Sequence, residues 1–384
     1  MSNVPQPSSS RVGIVGGGQL ALMMGEAARE LDVATYVLAG SPDDPAAISC
    51  DHVIVGDAKD PHALEELSTV VDVVTFDHEL VDLDQIATLE GRGVPVRPGS
   101  SALRFAADKA FQRRRFLEAG VPVPRFIVVS SASDAAVGPF LAQLDREPVL
   151  KSARGGYDGR GVVFPDTREE TMLVLDELSR AGDVVVEERL TLQGEVAQVL
   201  ARGLDGSIAL YPLVTTVQAN GMCVEVVYPA RVTAELARQG EELAEQIASL
   251  VDAVGIVAIE YFVTREGLLV NEIALRPHNS GHWTIEGCAT SQFANHLLAV
   301  SGRPLGPVEP LFEHVVMVNV VGAERPGSLE GARALGDVAV HDYAKAWRPN
   351  RKLGHVTSTG DDPTTVHVRA WRGARAYGTS TEEV

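Results

Sequence analysis

The chain has 384 residues, 45 % of them apolar and 22 % charged, and carries a net charge of −19 from 33 Lys and Arg against 52 Asp and Glu. That length asks for two or three cores rather than one, and the acidity excludes a phosphate-backbone binder, which needs a basic footprint, so no nucleic-acid partner is expected. No run of about 18 apolar residues occurs, so no membrane span is expected either.

The opening MSNVPQPSSS lacks the charged and apolar regions of an export signal and reads as a flexible tail over 1–10. RVGIV (11–15), VATYVL (33–38), HVIV (52–55) and VDVVTF are short, Val/Ile-rich strand patterns, with helical patterns at Gln19 to Leu31 and Pro61 to Val70 between them. This alternation implies a parallel sheet with helices on both faces over 11–105. Near Pro98-Gly99 the rhythm changes; helical segments around 100–119 end at Gly120, and Pro122 and Pro124 enforce an extended exit.

A second unit, 106–192, reads as strand FIVVS, helix 134–144, strand PVLKS, a glycine loop, a strand at 162–164, helix 167–181 and strand VVVEERL. From 193 to 275 strands dominate, broken by one helix at 234–253. A helix near 291–302, a strand HVVMVNVVG and the basic segment KAWRPNRK follow, within a unit 193–384 whose end, 305–384, forms a small terminal region. Cys50, Cys223 and Cys288 are scattered and odd in number, which fits reduced cytosolic thiols better than a disulfide framework.

GIVGGGQLA sets Gly16, Gly18 and Ala21 in a G-x-G-x-x-A pattern between strand and helix. A dinucleotide site would want an acid at the end of the second strand, where Val37-Leu38-Ala39-Gly40 has none. The turn reads instead as a phosphate or substrate anchor at a helix N-terminus, or as a tight structural turn. A nicotinamide-dependent oxidoreductase would rest on this pattern alone.

Lys151-Ser-Ala-Arg-Gly-Gly-Tyr-Asp-Gly-Arg-Gly161 places four glycines in seven residues between two strand patterns. Glycine clusters cost backbone entropy, and close approach of N–H groups to a polyphosphate is one reason to accept it. The spacing is not that of a Walker loop; the bland reading is a floppy hairpin tip.

GIVAIEYFV and GLLVNEIA read as a hairpin around Arg265-Glu266-Gly267. If the turn centres on Glu266, Thr264 faces Leu268, Phe262 faces Val270 and Glu260 faces Glu272. Opposed like charges destabilise a ladder. A raised pKa on one acid would compensate them, but a divalent cation is the commoner solution beside phosphates, and magnesium, which takes few carboxylates and fills its shell with water and phosphate, suits the pair. A register slip that turns one glutamate to solvent is the alternative. The following loop, Arg276-Pro-His-Asn-Ser-Gly-His-Trp283, crowds polar side chains where a substrate would lie.

GGGQLALMM, KSARGGYDGRG, VVVEERLTLQGEVA, LLVNEIALRPHNSGHWTIEG and KAWRPNRKLGHV together resemble the ATP-grasp enzymes, and among them the 5-(carboxyamino)imidazole ribonucleotide synthases, from about Val12 to Val356. The resemblance implies an α/β and α+β chain: an ATP-grasp fold with an N-terminal Rossmann-like parallel-sheet domain and a small C-terminal domain. It implies an ATP-dependent, ADP-forming ligase of purine (IMP) biosynthesis that carboxylates aminoimidazole ribonucleotide with bicarbonate, requires Mg2+ or Mn2+, and works as a cytoplasmic homodimer.

By the same resemblance Lys109 and Lys151 contact ATP phosphates and the backbone of Gly155, Gly156, Tyr157, Asp158, Gly159, Arg160 and Gly161 covers them. Glu187, Glu188, Arg189 and Leu190 form the adenine-edge segment, with Glu195 at the ribose. Asn271 and Glu272 are the nucleotide–metal pair and Glu260 the second carboxylate. Gly18, Gln19, Tyr157, Asp158, Arg276, His278, Asn279 and Ser280 match substrate-side positions, Arg276 also facing developing phosphate charge beside Lys151. Lys345, Arg351 and Lys352 resemble the cluster that binds the ribotide phosphate. The chain departs from the family pattern at Lys109, where Arg is common, at Gln218, which replaces a histidine associated with nucleotide binding, and at TFDHEL, in place of T-x-E-x-E. Another ATP-grasp ligase acting through an acyl phosphate would share the lysines and carboxylates but need not share RPHNSGHW. A silent scaffold would have no reason to keep two opposed acids.

Overall fold

The computed structural model describes residues 10–155, 161–219 and 221–381. Its first unit holds β1 (Ser10–Val15), α1 (Gln19–Leu31), β2 (Val33–Ala39), β3 (His52–Val55), α2 (Pro61–Val70), β4 (Val73–Phe76) and α3 (Leu83–Gly91). The strands lie parallel in the order β3-β2-β1-β4. Both helices read from sequence form between the residues expected: α2 starts at Pro61 with Asp60 accepting from the His62 N–H, and α1 stops at Asp32 in the left-handed region, φ 52°. Leu64 and Leu67 of α2 and Ile86 and Leu89 of α3 cover one face of the sheet. The other face packs on α1 together with Phe293, Leu297 and Val300, which arrive from much later in the chain.

Two helices, α4 (Ser100–Ala107) and α5 (Lys109–Glu118), lead out of this unit. They break at Asp108, whose carboxylate caps α5 through the Phe111 N–H. The next unit holds β5 (Phe126–Val129), α6 (Val137–Leu141), β6 (Val149–Ser152), β7 (Val162–Val163), α7 (Arg168–Ser179) and β8 (Val184–Glu187). Its antiparallel order is β5-β8-β6-β7. The helix read over 134–144 shrinks to five residues. Gly138-Pro139 sits in its centre, and proline brings no N–H to extend a helix.

The rest builds one antiparallel sheet from β9 (Gly194–Arg202), β10 (Ile208–Leu210), β11 (Val214–Ala219), β12 (Met222–Tyr228), β13 (Gly255–Thr264), β14 (Gly267–Ala274), β15 (His314–Val321), β16 (Ala339–Asp342) and β17 (Lys352–Gly360). The order is β14-β13-β9-β11-β12-β15-β17-β16, with β10 on β9. Helix α8 (Ala234–Val251) seals one face through Leu243, Ile247 and Val251, beside Phe105 and Phe116 of α4 and α5. Helix α9 (Thr284–Gly287) and α10 (Gln292–Val300) follow β14, and α11 (Leu329–Arg333) precedes β16. Helix α12 (Pro363–Tyr377) buries Ala370, Trp371 and Ala374 against β15 and β17, so the terminal strands extend the large sheet instead of forming their own. No helix of the described residues is long and apolar enough to cross a membrane.

Candidate active site

A cleft of about 1900 Å3 runs where the three sheets meet, lined by Lys151 and Glu187 from the middle sheet, Glu195, Glu260 and Glu272 from the large one, and Asp77 and Glu79 after β4. Gly18, Gln19, Lys109, Glu188, Arg189, Leu190, Gln218, Asn271, Arg276, His278, Asn279 and Lys352 line it as well.

The hairpin carries its acids by a route the sequence reading missed. The turn is one residue tighter than a turn centred on Glu266: Thr264 pairs with Gly267, Val263 with Leu268, Phe262 with Leu269 and Tyr261 with Val270. The register then shifts at Asn271, so that Glu260 pairs with Glu272 as expected. Asn271 is the extra residue of a β-bulge. An unbroken strand sends neighbours to opposite faces, whereas a bulge re-aims them, and here Asn271 and Glu272 both reach the cleft beside Glu260. Lys109 Nζ lies 3.8 Å from Glu272 Oε1, and His278 Nε2 lies 3.8 Å from Glu260 Oε1. Among the described residues no three His, Cys, Asp or Glu side chains come together as a metal-holding group. Two carboxylates and an amide oxygen fit Mg2+ or Mn2+, which complete their shells with water and phosphate oxygens.

Lys151 ends β6 buried against this pair. Its Nζ sits 2.6 Å from Glu187 Oε2 and donates to Asn271 Oδ1 at 3.3 Å. Burial pushes the ammonium below the ordinary lysine range, opposed by Glu187. Burial by itself would raise Glu187, but Arg113 and Lys151 outweigh it and hold the carboxyl at about 2. Its carboxylate is thereby occupied by two cations, one on each oxygen. Glu188, half-buried at the cleft wall, accepts from the backbone N–H and Nε of Arg125. Glu195 is raised by burial, and Gln218 lies on β11 opposite an irregularity in β12.

At the N-terminal wall the glycine turn already holds a carboxyl group: the Gly18 N–H donates to Asp77 Oδ2 at 2.5 Å, and a Cβ on Gly18 would run into that oxygen. Gln19 accepts from Lys345 Nζ. Glu79, the last acid of TFDHEL, accepts from Arg276 Nε at 2.6 Å and from the Leu275 N–H at 3.1 Å, aiming the guanidinium along the cleft. Gln292 staples the RPHNSGHW loop by accepting from the His278 N–H and donating to the His278 carbonyl. Asn279 exchanges two hydrogen bonds with Asn319, and Ser280, almost fully buried, meets His278 Nδ1 at 2.9 Å.

Of the basic segment, Lys352 reaches the cleft and Lys345 its rim, while Arg351 donates to the Ala346 carbonyl and is half-buried. Gly155 and Gly161 flank the glycine loop with φ of 77° and 75°. Gly156, Tyr157, Asp158, Gly159 and Arg160 lie outside the described residues.

Family models place this chain in context. The ribonucleotide synthetase preATP-grasp domain matches residues 9–107, the ATP-grasp domain 114–293 and the phosphoribosylaminoimidazole carboxylase C-terminal domain 315–369. The N5-carboxyaminoimidazole ribonucleotide synthase of Mycobacterium tuberculosis is 42 % identical over 369 residues, covering 94 % of this chain and 86 % of that protein. The crystal structure of the synthetase from Thermus thermophilus superposes with a TM-score of 0.88 at 34 % identity, over 97 % of this chain and 99 % of that one. The Aspergillus clavatus synthase, solved with ADP and 5-aminoimidazole ribonucleotide, gives a TM-score of 0.86 at 28 % identity, over 96 % and 99 % of the two chains. With its three domain models in order and its length covered almost throughout, the chain belongs to the N5-carboxyaminoimidazole ribonucleotide synthases, ADP-forming ligases of the ATP-grasp fold.

Proposed function

We propose that the cleft carboxylates 5-aminoimidazole ribonucleotide in purine biosynthesis. A bicarbonate oxygen attacks the γ-phosphorus of ATP, the bond to the β-phosphate oxygen breaks, and ADP leaves. The activated carboxyl group is then captured by the exocyclic amine of the imidazole; a C–N bond forms, and phosphate departs with the amine proton. Bicarbonate is a poor electrophile until phosphorylation gives it a leaving group, so the protein's work is positioning and charge neutralisation.

Lys151 and Lys109 would meet the nucleotide phosphates, and Arg276, braced by Glu79, the charge that develops on the transferred phosphoryl group; their positions on the cleft support this reading. Glu260 and Glu272, with Asn271 beside them, would hold Mg2+ or Mn2+, which when bound neutralises phosphate charge. His278 and Asn279, which line the cleft, would meet the substrate, with buried Ser280 bracing His278, and Lys352 with Lys345 would supply local positive charge for the ribotide phosphate. A cytoplasmic homodimer fits this reading: the family resemblance supports both parts, and three free cysteines agree with a reducing compartment.

The observation that carries the proposal is the bulged hairpin, which sets Glu260, Asn271 and Glu272 on one face opposite Lys151. ADP release should require both bicarbonate and aminoimidazole ribonucleotide. Release stimulated by an unrelated amine or carboxylate and not by the ribotide would overturn it.

A further inference from the structure

Arg113 belongs to none of the motifs that mark the cleft and does not line it among the described residues, yet it is only 1 % exposed. A guanidinium taken out of water is costly unless its nitrogens find acceptors, and each of the three in Arg113 does. Its Nε meets Glu187 Oε1 at 2.5 Å, one terminal nitrogen donates to the Asn271 carbonyl at 2.6 Å, and the other to Gln112 Oε1 at 2.7 Å. The second oxygen of Glu187 takes Lys151 Nζ, and that ammonium donates to the Asn271 side chain. Arg113, Glu187, Lys151 and Asn271 therefore close a ring drawn from α5, β8, β6 and the bulge of β14, and the ring ties the middle sheet to the large one directly behind the nucleotide pocket.

We infer that Arg113 is a positioning residue for the nucleotide site. Its fork fixes both the carbonyl of the bulge residue and the carboxylate that aims Lys151, so the ammonium and Glu272 stand at a set separation before nucleotide enters. Only arginine does this: a planar fork reaches two acceptors in different directions, whereas a lysine offers one point charge. Asn271 is held twice, by its side chain and by its carbonyl, so the bulge cannot relax into a regular ladder without breaking the ring. The inference rests on the nucleotide reading of the cleft.

The test compares Arg113→Lys and Arg113→Met with the unaltered full-length chain. Circular dichroism checks folding, calorimetry in EDTA gives the ADP dissociation constant, and steady-state rates give KM for ATP and for the ribotide. Both variants should weaken ADP about tenfold or more and raise the ATP KM in step, with the ribotide KM within about twofold, because misplacement of one side of the pocket is felt by the ligand it positions. An Arg113→Lys protein with unchanged ADP affinity overturns the inference, as does an Arg113→Met protein that melts earlier but binds ADP normally. Should Arg113→Met not fold, Arg113→Lys decides alone. A wild-type chain that binds no ADP sinks the nucleotide reading itself and this inference with it, so the two failures are told apart.

Discussion

Glu272 is the side chain on which most of the site converges. Lys109 approaches it, Asn271 precedes it, and Glu260 is its cross-strand partner. It is also half exposed to the cleft, so neutralising it removes a charge without emptying a core. Glu272→Gln should fold normally and lose ATP turnover by about a hundredfold to a thousandfold, the scale of losing one charge-stabilising group. Circular dichroism with an ADP-release assay checks both halves, and retained turnover would remove the metal assignment. Side chains of this kind were legible because a motif carries them: two acids inside apolar strands, a lysine at a strand end before clustered glycines. Their supports were not. Glu79 stands 197 positions from Arg276, and Arg113 stands 74 from Glu187, in a run of three arginines that reads as a solvated helix face. Nothing local distinguishes a buried arginine from its exposed neighbours; only the packed sheets do.

At the scale of elements, the hairpin shows how a right pairing can follow from a wrong turn. Counting from a turn centred on Glu266 opposed Glu260 to Glu272, while the actual turn alone would have opposed Glu260 to Asn271; the bulge restores the pair. Bulges leave little mark in sequence because the extra residue is an ordinary one. The parallel strands of β1 to β4 were legible from short Val/Ile runs, and so was the helix near 291–302, but not that this helix completes their cover. Helix α10 docks there from about 200 residues away, and its His296 is the fastening. The ring Nδ1 accepts from the Ile256 N–H at 3.1 Å, so the neutral ring carries its proton on Nε2 and donates to Thr75 Oγ1 at 2.8 Å. Burial holds its pKa down at about 3. The folded protein therefore keeps this ring neutral while the unfolded chain protonates it below its ordinary value near 6.5, so stability is full above that pH and is lost as pH falls toward 3. His296 alone should contribute a slope approaching about 1.4 kcal/mol per pH unit within that window. His282 and His355, likewise buried and depressed, add slope of the same sign. Urea unfolding between pH 7.5 and 5 should show the wild type losing stability steeply and His296→Asn, weaker at pH 7.5, losing it less steeply. Parallel curves would mean the ring is not held neutral.

Taken as a whole, the molecule is an anion that must bind anions. Its net charge of −19 repels anions at long range, whereas Lys109, Lys151, Arg276 and Lys352 line the cleft and, on the proposed reading, attract them only there. These two fields respond differently to salt. Exposed charges spread over the surface are screened beyond a Debye length of about 8 to 10 Å, while partly buried contacts inside a cleft are screened much less. Lys151 is buried and Lys109 nearly so, whereas the acids that set the net charge are mostly at the surface. Raising ionic strength from about 0.01 to 0.15 M should therefore lift the repulsion more than it weakens the binding, and kcat/KM for ATP should rise, by about twofold to tenfold as a steering effect. Free magnesium must be held constant across the series so that complexation of ATP does not change. Lys352→Glu, which reverses charge inside the cleft without much altering the global field, should raise the ribotide KM more than the ATP KM and leave the sign of the ATP salt dependence as it was. A kcat/KM that falls with salt in the wild type would show that the local positive field, not the global negative one, governs encounter.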